Sequence, residues 1–199
     1  MKKQILLIAL SVVAIGFSAF TGKDKKSTLS VNVDESNVVW LGKKVTGEHI
    51  GNINIAHGDL EFVGEHLRGG TFEIDMKSIT NTDLKDAEYN KKLVGHLKSD
   101  DFFGVEKFPK TTFVINKVKH EAGNKYHVKG DITIKGITKS IEFPVEMSLN
   151  GSKATISAAI SIDRTEFDVK YGSGSFFENL GDKMIYDDFT LDVTLVANK

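Results

Sequence analysis

The sequence predicts an all-β protein: an antiparallel barrel with one amphipathic helix. Three observations lead there. Apolar and polar residues alternate with a period of two over most of the chain, as where Phe72, Ile74 and Met76 interleave with Glu73, Asp75 and Lys77. Most of these runs are joined by short turns, which favours antiparallel pairing of sequence neighbours. One long stretch, 84–113, breaks the two-residue period: Tyr89, Leu93, His96 and Leu97 recur at helical spacing. Closure removes exposed edges and buries one face of each strand. A β-sandwich is the alternative, because alternation does not say whether a sheet closes.

At the start of the chain, Met1-Lys2-Lys3 precedes the apolar run Ile5 to Phe20, the charged start and apolar middle of a secretory signal peptide. That run is shorter than the ~20 residues of a spanning helix. Residues 1–21 therefore read as an export signal, 22–29 as a flexible leader and 30–199 as one folded domain, placed in the periplasm or secreted. Cleavage after Thr21 uses an imperfect small-residue site, so a retained anchor is the alternative. The chain has no cysteine, which excludes both disulfides and a lipid attached through sulfur.

Extended segments follow from Val31 through Trp40 to Val45 and from His49 to Phe62, with glycines marking bends or bulges. Gly69-Gly70 reads as the turn into Thr71–Lys77. Asp83, with Asp86 three residues on, serves the start of the helix. Beyond it the alternation resumes at Thr111–Lys119, Tyr126–Lys135, Ile141–Leu149 and Ala154–Ile162. Pro144 marks an edge or bulge, and Asn150-Gly151 a tight hairpin. A long connection, 163–182, contains Gly172-Ser173-Gly174-Ser175, and a last strand begins at Ile185. Helix and long loop are expected near the barrel mouth.

A formal net charge of -1 gives no reason to expect nucleic acid, since phosphate backbones reward clustered Lys and Arg. The six histidines are scattered singly, without zinc-site spacing, and no serine sits in a nucleophile elbow. Asp100-Asp101 and Asp187-Asp188 read as capping or solvated carboxylates rather than as an acid–base pair. No metal, no cofactor and no catalytic residue is expected. Among polar residues, His49, His96 and Arg164 stand out. Either histidine can be a hydrogen-bonded core residue or a ligand contact. Arg164 can offer a planar fork to an anion or form a salt bridge to Asp163 or Glu166. An eight-stranded barrel can be filled by its own side chains or hold one small ligand; the small inward residues Gly130, Ala154 and Ala158 leave both options open.

The segment His96-Leu97-Lys98-Ser99-Asp100-Asp101-Phe102-Phe103, followed by Phe108-Pro109 and Phe113, resembles a motif of the YceI-like family of exported polyisoprenoid-binding proteins. Lys44–Gly51, Gly130–Lys139 and Arg164–Phe167 extend the resemblance in order. It implies an eight-stranded lipocalin-like barrel around an apolar cavity that holds an isoprenoid or fatty-acid-like lipid, for storage or transport. The implied wall includes Phe72, Phe113 and Ile115, with Phe102 and Phe103 after the helix, and His96 and Arg164 near the polar end. Many members carry Arg-Asp where this chain has Leu93-Val94, which favours a neutral or carboxylate head over a diphosphate. A carrier leaves room for transient membrane contact and for a homodimer. The alternative is a hydrolase or stress-response enzyme acting on a bound lipid.

Overall fold

The computed structural model describes residues 25–199; the signal-peptide reading and the first residues of the leader lie outside the described residues. Alternating burial builds β1 (Lys26–Val31), β2 (Asn37–Lys44), β3 (Gly47–Val63), β4 (His66–Asp75), β5 (Lys110–Ala122), β6 (Lys125–Ile134), β7 (Ile137–Asn150), β8 (Lys153–Asp163) and β9 (Ile185–Asn198). The helix α1 (Ala87–Lys98) stands between β4 and β5. From β2 to β9 every strand pairs antiparallel with the next, and β9 returns to β2.

Nine strands make eight staves. β1 and β2 share the slot between β3 and β9: Leu29 lies opposite Leu60 in the second half of β3, and Val38 opposite Ile53 in the first. Between them the chain turns at Asn32, whose side-chain oxygen accepts from the backbone N–H of Asp34 and Glu35. The sheet closes as an up-and-down barrel of the predicted class.

Two local readings are corrected. Residues 26–29, read as leader, belong to β1, where Leu29 is buried in the core; the lysines before it masked the alternation. Gly69 and Gly70 do not turn the chain. They are buried within β4, and the turn lies at Gly64, whose φ of 64° suits glycine. Pro144 stands just outside the β7–β8 ladder, which covers only Glu146–Asn150 of β7, so that seam has an edge where the missing N–H is tolerated.

Because strands alternate in direction, the connections sort by parity. The turns at 45–46 and 135–136, α1 with its flanks, and the 164–184 connection share one end, called upper here. The turns at 64–65, 123–124 and 151–152 share the lower end. The lower half is packed: Leu29, Leu60, Phe62, Val128, Met147 and Leu195 bury in one cluster. Gly130 leaves no space there, since a Cβ on it would lie 2.6 Å from the ring of Phe113. Ala154 is likewise fully buried within the cluster.

α1 starts at Asp86 rather than Asp83: the Asp86 carboxylate accepts from the N–H groups of Glu88 and Tyr89 at 2.9 and 3.0 Å. No residue of α1 is fully buried. An amphipathic helix whose apolar side is only half covered has something other than packed side chains beneath it.

Candidate functional site

Beneath α1, in the upper half of the barrel, lies a cavity of about 310 Å³. Its wall comes from every layer of that end. Trp40 and Ile53 line it from β2 and β3, Leu93 and Leu97 from α1, and Phe189 and Leu191 from β9. The lining is predominantly apolar, with Lys43, Lys44, His49, His96, Thr111 and Asp188 among its polar members.

Of the seven residues expected at a ligand, the structure brings four to this cavity: His96, Phe102, Phe103 and Arg164. The other three stand lower. Ile74 and Thr111 are opposite each other in β4 and β5 and line the cavity. Phe72 and Phe113 form the next inward pair, and Gly70 and Ile115 the one below. Phe72 and Phe113 stack with ring centroids 6.2 Å apart, and Phe113 meets Phe143 at 5.6 Å. These rings are the floor of the hollow rather than its wall, and Ile115 belongs to the packing below it.

His96 projects from the covered side of α1, its ring edge-on to Phe102 at 5.6 Å and to Tyr171 at 4.4 Å. Phe102 in turn meets Phe103 at 5.3 Å, and Phe103 reaches Phe189 at 6.3 Å. This aromatic chain joins the helix, the segment after it, the long connection and β9. The tight turn that folds Phe102 and Phe103 under the helix is held by Phe103 N–H to Leu97 O at 3.1 Å and Val105 N–H to Lys98 O at 2.9 Å.

Arg164 is 2% exposed. Its Nε donates to Tyr186 O at 3.1 Å, Nη1 to Val169 O at 2.6 Å, and Nη2 to Ile185 O at 3.1 Å and Asp187 Oδ1 at 3.4 Å. The guanidinium also lies over the Phe102 ring, 5.5 Å from its centroid. Most of the fork is thus engaged within the protein, and its carboxylate partner is Asp187, not Asp163 or Glu166. Burial lowers the Arg164 pKa, and the charges of Asp187 and Asp163 oppose that shift. Burial also pushes Asp187 up, but hydrogen bonds from Ser173 and Ser175 and the Arg164 charge hold it below the usual carboxylate range. Arg164 therefore ties both ends of the 164–184 connection together beside the cavity.

A second polar pair holds the other side. His49 Nδ1 is 2.8 Å from Asp83 Oδ2, while Asp83 Oδ1 accepts from Ile50 N–H at 2.8 Å and from the Asn81 amide. Burial raises the Asp83 pKa, but the hydrogen bonds from Ile50, His49 and Asn81 outweigh it and bring it to about 2. Thr80 and Thr82 N–H groups donate to Asn52 O and Ile50 O, so the chain leading into α1 is stitched along upper β3. Among the described residues no group of three or more His, Asp or Glu could hold a metal ion.

Sequence reasoning missed Trp40 as a cavity residue, although it is the chain's one tryptophan and lies within the alternation of β2. Its indole donates to Thr80 O at 3.0 Å, and it packs against Gly51, where a Cβ would lie 2.6 Å from the ring. The partners Asp83 and Asp187 were also missed, because each lies more than twenty residues from the group it binds.

A closed up-and-down barrel with an apolar hollow under a helix defines a lipocalin-like class of protein. Residues 13–197 match the YceI-like domain, and the chain belongs to the YceI-like family. A UPF0312 protein of Photorhabdus laumondii is 34% identical over 102 residues, 48% of this chain; the matched part spans about half, 50%, of that relative's length. Among solved structures, Burkholderia cenocepacia BcnA superposes with a TM-score of 0.68 at 26% identity, covering 84% of this chain and 99% of that one. A polyisoprenoid binding domain from Saccharophagus degradans, implicated in plant cell wall breakdown, gives 0.62 at 12% identity, covering 85% and 97%. At that identity the second likeness speaks for the fold alone.

Proposed function

We propose that this protein is an exported binding protein that holds an isoprenoid or another long-chain lipid in its barrel, for storage or transport, and that it works in the periplasm or outside the cell. The observation that carries this reading is the apolar hollow of about 310 Å³ under a helix with no buried residue, above a packed lower half. That volume lies at the small end of the range for small-molecule sites. Each methylene withdrawn from water contributes about 0.8 kcal/mol. The solved relative described as a polyisoprenoid binding domain supports the ligand class. The commitment of Arg164 to carbonyls and Asp187, and the absence of charge at Leu93 and Val94, support a neutral or carboxylate head. Export rests on the charged start and apolar run of residues 1–20.

The test is organic extraction of the purified protein followed by mass spectrometry, combined with titration of Trp40 fluorescence by offered prenols and fatty acids. A co-purified lipid, or a saturable change in Trp40 emission, is expected. Repeated extraction without lipid, together with unchanged emission on every addition, overturns the reading.

A further inference from the structure

The exposed apolar side chains of this barrel are not scattered. Of the large ones among the described residues, all but Val33 and Val114 belong to the upper end. Five of these are aromatic: Tyr89 of α1 is 64% exposed, and Tyr171, Phe176, Phe177 and Tyr186, in the long connection and the start of β9, are 48%, 50%, 51% and 48% exposed. Two of them, Tyr171 and Tyr186, stand at the cavity. Tyr186 is itself part of the cavity lining, and the Tyr171 ring stands 4.4 Å from that of His96, another lining residue. Phe176 and Phe177 both donate their N–H to Ser173 O, at 3.2 and 3.0 Å, so the turn after Gly172 presents the two rings side by side in sequence. Val45, also exposed, joins the patch through its N–H to Met184 O at 3.1 Å.

The lower end and the barrel wall lack this character. Outward positions of β5, β6 and β7 carry Lys117, Lys119, Lys129, Glu142 and Glu146, all exposed. The aromatic rim differs in charge as well. The connection and the start of β9, residues 164–188, hold six carboxylates (Glu166, Asp168, Glu178, Asp182, Asp187 and Asp188) against three cations, Arg164, which is paired with Asp187, Lys170 and Lys183, while Lys43 and Lys44 line the cavity from β2. Lys170 is already paired with Asp168 at 2.7 Å and lies over the Phe176 ring at 5.0 Å. Aromatic rings with surplus carboxylates attract ammonium groups and repel anions. Phenylalanine and tyrosine on protruding turns suit the boundary between headgroups and acyl chains.

From this juxtaposition we infer that the upper end is a membrane-docking face. Phe176, Phe177, Tyr171 and Tyr186 insert among zwitterionic, amine-bearing phospholipid headgroups, and the cavity mouth then opens directly onto the acyl region. Contact is peripheral: among the described residues no helix is long and apolar enough to cross a membrane. The acid surplus of the 164–188 segment, which carries the four rings, favours a zwitterionic bilayer over an anionic one. The inference rests on the carrier reading for its purpose, since a lipid that passes through this mouth need not cross water.

The experiment uses residues 22–199, whose described part closes the barrel by itself, so that the apolar run 5–20 does not partition on its own account. Sedimentation with phosphatidylcholine–phosphatidylethanolamine vesicles at moderate salt is expected to carry the protein down, with little loss when salt is raised and weaker binding as phosphatidylglycerol is added. Phe176→Ser combined with Phe177→Ser, both outside the cavity lining, lowers partitioning by about tenfold or more. The same variant still takes up a prenol offered in detergent but loses uptake from vesicles. Absence of vesicle binding overturns the inference. So does binding unchanged by the double substitution, binding that needs anionic lipid, or burial of these rings in a dimer by sedimentation velocity. Docking without uptake of any lipid leaves the membrane face standing and removes the carrier reading, so the two failures are distinguishable.

Discussion

Replacing Arg164 with methionine separates a structural clamp from a ligand anchor. Arg164 makes three hydrogen bonds to backbone carbonyls, of Val169, Ile185 and Tyr186, and a longer one to Asp187, while only 2% exposed. Methionine keeps most of the side-chain volume but leaves those carbonyls without their guanidinium donor and the half-buried Asp187 carboxylate with only its serine hydrogen bonds. Removing one member of a buried, hydrogen-bonded charge pair costs about 3–5 kcal/mol. In a domain of this size each kcal/mol moves the melting temperature by about 2–4 °C, so the midpoint falls by about 6–20 °C. Thermal and urea unfolding followed by circular dichroism measure this directly. In parallel, ligand affinity through Trp40 fluorescence is expected to change less than stability, because most of the guanidinium's donors already face the protein. A variant that melts within 2 °C of the parent yet loses its lipid refutes the clamp and makes Arg164 the head-group contact.

Two further outcomes follow from the same end of the barrel. Asp83 titrates near 2 in the folded protein, below its ordinary 3.8, so the folded state binds this proton less readily than the unfolded chain. Its stabilisation is therefore complete above about pH 5 and is lost as pH falls through 4 towards 2. The shift corresponds to about 2 kcal/mol, reduced to about 1 by solvent at a side chain that is 30% exposed. Unfolding free energies of the parent and of Asp83→Asn, compared from pH 6 to pH 2.5, should converge by that amount; parallel curves refute the pairing. Leu97→Trp places a larger ring in the hollow. Overpacking a filled core costs about 1–3 kcal/mol, whereas here the change should be under about 1 kcal/mol, with reduced lipid capacity by extraction. A melting drop typical of a packed core shows that the space is not available.

Most of the barrel was legible because its pattern is local. Alternation from Phe72 to Met76 or from Ile141 to Leu149 states which face is buried, and the break in period at 84–113 states where a helix intervenes. Even the meeting of α1 with the long connection follows from strand parity, since each leaves an upward stave. Non-local facts were not legible. Whether Gly130 left space depended on the Phe113 ring from the neighbouring strand, which covers it. A salt bridge for Arg164 and a hydrogen bond for His49 were among the readings, but not their partners, since the fold brings Asp187 and Asp83 from 23 and 34 residues away. Phe102 and Phe103 line the cavity because the turn that positions them is made within the segment around His96. Phe72 and Phe113 were placed one step too high because alternation gives the face of a strand but not the level at which the core stops.

That level is a consequence of how the two halves are stabilised. Below the Phe72–Phe113 pair, inward side chains from opposite staves fill the space and supply the core. Above it, Ile132, Ile134, Ile162 and Phe167 form a second buried cluster beside the hollow, and polar ties fasten the covering segments at the rim, Arg164 across the long connection and Asp83 to upper β3. Breaking the Arg164 ties would leave the acceptors Val169 O and Ile185 O without that donor, at about 1–3 kcal/mol for each that stays buried. The packed floor and the polar rim thus do separate work. Substitutions in the floor should change stability with little effect on ligand capacity. Substitutions such as Leu97→Trp, which occupy the hollow itself, should do the reverse.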